Sequence, residues 1–160
     1  MRTAIIGQAP GREFENLPAL QGKTLRRLMG LAGSKTEFEF RDYFEALNVL
    51  PHWPGKSGKG DAFPIEEAKK AAVRLEKYLV DRRVIFLGDL VAIVFGWSRT
   101  PKLQWRQCAA YEFAVLPHPS GINRWYNNPR NVSQASRFLQ LAKFASRATV
   151  LHGNEQAAVI

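Results

Sequence analysis

The sequence predicts an α/β fold: three layers, α/β/α, around a central, mostly parallel four-stranded sheet. Short apolar runs ending at glycine or proline alternate with stretches of helical periodicity. The chain has 160 residues, a length suited to one domain, and 46% of them are hydrophobic, enough for a core without staples. No internal repeat, low-complexity tract or second domain breaks the alternation. The expected division is one domain over residues 1–150 and a C-terminal tail over 151–160.

Thr3 to Ile6 is a buried first strand ending at Gly7, and the loop Gly7-Gln8-Ala9-Pro10-Gly11-Arg12 follows it. Leu20 to Leu31 places Leu25, Leu28, Met29 and Leu31 on one helical stripe, with Gly33 as the stop. Phe44 to Leu50 reads as a second strand, and a Gly/Pro/Lys loop extends from Pro51 to Asp61. Pro64 opens a helix in its favoured first turn, where Glu66 and Glu67 suit the dipole. Its apolar stripe is Ile65, Ala68, Ala72, Leu75 and Leu79. Arg83 to Leu87 is a strand broken by Gly88, and Leu90 to Phe95 is a short helix ended near Gly96. Glu112 to Leu116 is the fourth strand, running into Pro117. A loop from His118 to Arg130 leads to a last amphipathic helix capped by Asn131, with Val132, Ala135, Leu139, Ala142 and Ala145 facing the core. From Thr149 a minor strand or a frayed tail is expected.

Lys and Arg number 23 against 14 acids, a formal charge of +9. That balance points to an anionic partner, nucleic acid first, though a basic surface also serves solubility alone. The lone cysteine, Cys108, makes no intrachain disulfide and reads as an inert thiol. No apolar run reaches the ~18 residues that span a bilayer. The start, Met1 to Gly7, is too short for a signal peptide. The cytoplasm is therefore the expected compartment.

In folds of this class, ligands bind at the carboxyl ends of the strands. Three loops there carry the unusual residues: Gly7 to Arg12, Asn48 to Asp61, and His118 to Arg130. Gly7-Gln8-Ala9-Pro10-Gly11 after the first strand resembles the first motif of the uracil-DNA glycosylase superfamily. His118-Pro119-Ser120-Gly121-Ile122 after the last strand resembles its second motif. Leu47-Asn48-Val49 stands where that family has a strand ending in asparagine, and Val84 to Gly88 matches its penultimate strand and glycine. The resemblance covers residues 3 to 145 and is greatest to the thermostable, iron–sulfur-bearing branch.

The resemblance implies a base taken out of the DNA stack and read on its Watson–Crick edge. Asn48 becomes the reading residue, because an amide offers the donor and acceptor that match O4 and N3–H of uracil. By itself it is also an ordinary strand-end turn residue. His118 becomes the donor that stabilises charge on the departing pyrimidine; otherwise it is a loop histidine. Ser120 and Gly121 would hold phosphates beside the flipped nucleotide. Ile122 would wedge into the gap it leaves, unless it packs inward. Arg124 and Trp125 offer a cation and a stacking surface, with a core-capping Trp125 as the alternative. Arg12, Lys56 and Lys59 would grip backbone phosphates, or the two lysines are simply solvated. The aromatic that stacks on the base falls to Leu20's position, with Phe14 or Phe44 as substitutes.

Three departures stand out. The cluster cysteines of the iron–sulfur branch are absent, so no cofactor is expected. Ala9 occupies the place of a water-activating side chain in several branches; Gln8 cannot act as a base, but Gln8 or a nearby acid, Glu13 or Glu15, would position water. Gly11 replaces the tyrosine that excludes the thymine methyl, leaving room for a 5-substituted pyrimidine. The expected function is a monofunctional DNA glycosylase without a lyase step, acting as a monomer on DNA with a modified or mismatched pyrimidine. The alternatives are a catalytically weak or inactive module that recognises such a base, or an enzyme of free nucleotides.

Overall fold

The computed structural model describes the backbone of residues 1–156 and the side chains of residues 1–146. The elements in chain order are β1 (Thr3–Gly7), α1 (Gly22–Ala32), α2 (Glu37–Tyr43), β2 (Phe44–Asn48), β3 (Lys56–Ser57) and β4 (Gly60–Asp61). Then come α3 (Ile65–Glu76), β5 (Arg83–Leu87), α4 (Asp89–Val94), β6 (Arg106–Gln107), β7 (Glu112–Leu116) and α5 (Pro129–Gln156).

The main sheet has five strands in the order β2-β1-β5-β7-β6. The first four are mutually parallel, and β6 runs antiparallel along β7. The four-stranded expectation therefore becomes five. The extra edge strand is two exposed residues with no apolar alternation to announce it. A separate hairpin pairs Lys56 with Asp61 and Ser57 with Gly60.

Strand alternation splits the core into two layers. Ala4, Ile6, Val84, Phe86, Phe113 and Val115 face α3 and α4, meeting Ala68, Ala72 and Val91. Ile5, Ile85, Leu87, Ala114 and Leu116 face α1, α2 and α5, meeting Leu28, Phe40 and Leu139. Both faces are covered, as a parallel sheet requires.

Several boundaries move. α1 begins at Gly22 rather than Leu20, and Leu20 sits in the left-handed region at φ 61°. Pro64 stands just before the first helical residue of α3 rather than inside its first turn. α2 was not expected; Thr36 caps it by accepting the Glu39 N–H at 3.1 Å. α5 starts at Pro129, and Asn128 rather than Asn131 accepts the N–H of Arg130 at 3.0 Å. Asn131 instead donates to the Trp125 carbonyl at 2.9 Å. α5 also continues through Thr149 to Gln156, where a strand or tail was expected. Residues 157–160 lie outside the described residues.

The topology fixes where a ligand can enter. β1 and β5 are neighbours, yet the chain leaves β1 toward β2 and leaves β5 toward β7. The loops after these strands diverge and open a crevice between their carboxyl ends. Gly7 and Gly88 stand at those ends.

Candidate functional site

Two glycines let the site close up. Gly7 is in register with Asn48 across the β1–β2 pair. A Cβ on Gly7 would lie 2.9 Å from Leu20 Cδ2 and 3.0 Å from Asn48 Oδ1. The missing side chain thus makes room for an apolar floor and for the asparagine amide. Gly88 has φ 87° and ψ 166°, a region essentially reserved for glycine. A Cβ there would lie 3.1 Å from His118 Cβ. Gly88→Ala is therefore expected to lower stability by about 1–3 kcal/mol, read as a reduced denaturation midpoint. An unchanged midpoint would contradict the close approach of His118.

His118 is half-buried, and burial holds its pKa below the ordinary 6.5. Its Nδ1 accepts the Ser120 N–H at 3.2 Å, so the neutral ring carries its proton on Nε2. The result is a neutral imidazole with one N–H to offer. The loop that carries it is held by the carbonyls. Tyr126 donates its hydroxyl to the Pro117 carbonyl at 2.6 Å, and Asn123 Nδ2 donates to the His118 carbonyl at 2.8 Å. Arg27 Nη1 donates to the Ser120 carbonyl at 2.8 Å, with its guanidinium 4.9 Å from the centroid of the Tyr126 ring. Sequence reasoning missed Arg27, Asn123 and Tyr126. Arg27 looks like a solvated charge on an amphipathic helix until the fold brings the loop to it.

A cleft of about 790 Å³ lies among these groups. Ala9, Gly11, Phe14, Leu20 and Asn48 line it. So do Gln8, Glu13 and His118, and Ser120 and Ile122 complete the expected set. Ile122 is 92% exposed, which removes the reading in which it packs inward. Phe14 is the aromatic wall: a Cβ on Gly11 would lie 3.3 Å from its ring, and one on Gly22 would lie 3.2 Å from it. Phe44 is fully buried against Phe40 at 5.0 Å and is unavailable to a ligand. Leu20 is held by Arg41, which donates to the carbonyls of Ala19 at 3.1 Å and Leu20 at 3.0 Å.

The remaining candidates lie outside the lining. Glu15 does not face the cleft; its Oε1 accepts the Trp53 N–H at 2.8 Å. Arg12 sits over the Trp53 ring at 5.6 Å. Lys56 pairs with Asp61 at 3.4 Å, and Lys59 is exposed in the turn between β3 and β4. Gly121 and Arg124 are exposed. Trp125 is half-buried and packs against the core, with its ring edge-to-face against Tyr126 at 4.9 Å. Cys108 is engaged with the Tyr111 backbone, its Sγ 3.1 Å from the carbonyl oxygen.

The Asn48 amide beside Gly7, the neutral imidazole N–H of His118, an aromatic wall and an apolar floor suit a small planar ring read by its polar edges. Among the described residues, no group of three or more His, Cys, Asp and Glu side chains could hold a metal ion. No described helix is long and apolar enough to cross a membrane. Comparison with known protein families and with curated proteins finds no match to this chain.

Proposed function

We propose that this protein is a DNA glycosylase of the uracil-DNA glycosylase type, which hydrolyses the N-glycosidic bond of a flipped pyrimidine. The observation that carries the reading is convergence. Asn48, His118, Phe14 and the exposed Ile122 border one cleft at the switch point of the sheet, although they come from distant parts of the chain. Asn48 reads the base edge. The Nε2–H of His118 meets O2 as negative charge builds on the leaving base. Ile122 enters the stack where the base has left it. The charge of +9 suits a polyanionic partner.

Ala9 on the cleft wall favours a second reading, a module that holds such a base without excising it. Duplexes carrying uracil, thymine opposite guanine, or 5-hydroxymethyluracil separate the two. Alkali-labile sites after incubation support the glycosylase. Tight, base-dependent binding without cleavage supports the module.

Two expected results address the DNA contact. Ile122→Gly should reduce excision from duplex about tenfold more than from single strands, because only the duplex requires a wedge. Equal loss on both would remove Ile122 from that role. Lys59→Ala should lower the slope of log affinity against log salt by about one. Lys56, already paired with Asp61, should contribute less. An unchanged slope for Lys59→Ala would place the hairpin away from DNA.

A further inference from the structure

Hydrolysis needs a water held against the sugar, and the first-motif residues that face the cleft do not supply a base. Ala9 has no polar side chain, and the Gln8 amide cannot take a proton. Glu15 is turned away and spent on Trp53. Among the described residues, the carboxylates that line the cleft are Glu13 and Asp61.

These two differ in how they are held. Glu13 lies in the exposed turn Arg12–Phe14 and has no hydrogen bond or ion pair among the described residues. Asp61 belongs to the β3–β4 hairpin, and its carboxylate is held by two groups. The indole Nε1–H of Trp53 donates to Asp61 Oδ1 at 3.1 Å, and Lys56 Nζ stands 3.4 Å from the same oxygen. Trp53 is itself fixed, its N–H donating to Glu15 and its ring beneath Arg12. Both contacts fall on Oδ1, which leaves Oδ2 for a water. A nucleophile's base, oriented in turn by a third group, is the arrangement that general-base catalysis requires.

From this we infer that Asp61 is the general base of the site and Trp53 the residue that positions it. The assignment rests on the glycosylase reading. The water oxygen bonds to C1′ of the sugar, and its proton passes to Asp61 Oδ2. The C1′–N1 bond breaks with its electron pair on the base, whose O2 is met by the His118 Nε2–H. The anionic carboxylate also faces the positive charge that develops on the sugar. The products are an abasic site with a C1′ hydroxyl and a pyrimidine anion that takes up a proton.

Single-turnover excision and DNA affinity, measured across pH for the wild type, Asp61→Asn, Trp53→Phe and Glu13→Gln, test the assignment. Asp61→Asn is expected to lose about 100-fold in the excision rate, with DNA affinity kept. Trp53→Phe keeps a ring under Arg12 but removes the indole donor, and should lose about tenfold in rate. Equal rates for Asp61→Asn and wild type would overturn the assignment while leaving the glycosylase standing. So would a larger loss in Glu13→Gln, or a loss in Asp61→Asn confined to affinity. Absence of excision by the wild type on every substrate would overturn the glycosylase reading, and Asp61's role with it.

Discussion

His118→Ala is expected to lower base excision by about 10²–10³-fold while leaving DNA affinity within about threefold. The size follows from geometry. The Ser120 N–H fixes Nδ1 as an acceptor, so Nε2 carries the proton before substrate arrives. The carbonyls of the loop are held by Tyr126, Asn123 and Arg27, so the ring needs little reorganisation as charge develops. The pH dependence follows too. Burial lowers the His118 pKa below 6.5, so the neutral donor persists as the pH falls through the range where an exposed histidine charges. The same shift acts on stability. Below 6.5 the unfolded chain binds this proton more readily than the folded one, so acidification destabilises the fold. His118→Ala should remove that part of the acid sensitivity. A variant that excises at the wild-type rate would take His118 out of the reaction.

Asn48→Ala should reduce excision of uracil by about 10–100-fold, with sequence-independent DNA affinity nearly unchanged. In the proposed role its amide would supply two hydrogen bonds to the base edge and none to the phosphates. The loss should therefore appear as lost discrimination between uracil and other pyrimidines, measured as the ratio of their kcat/KM values. Wild-type discrimination in the variant would exclude Asn48 from the reading role. Because a Cβ on Gly7 would crowd Asn48 Oδ1, Gly7→Ala should reproduce part of this loss without touching the asparagine.

The strands were legible where they are buried runs with hard stops. Arg83–Leu87 ends at Gly88 and Glu112–Leu116 runs into Pro117, and both lie where the sequence places them. α2 was harder, since it is seven residues long with one buried side chain, Phe40. Its start does carry a signal, because Thr36 and Glu39 have the spacing of a capping box. α5 passes Thr149 because no proline follows Pro129 to break it, and it runs through Gly153 to Gln156. The cleft was largely legible, since its residues cluster in loops after parallel strands. The supports were not. Arg27 reaches a carbonyl 93 residues away, and Trp53 meets Glu15 across 38. Such contacts depend on tertiary placement, which local periodicity does not encode. The hairpin that carries Asp61 is built from exposed pairs of residues and reads as an irregular loop.

The most direct test is mass-spectrometric detection of free base released from duplexes containing uracil, 5-hydroxymethyluracil or thymine opposite guanine. The account predicts that the wild type releases the intact base from at least one of them, leaves an abasic strand, and loses this activity in His118→Ala. Folded protein that binds these duplexes and releases no base from any of them would contradict it.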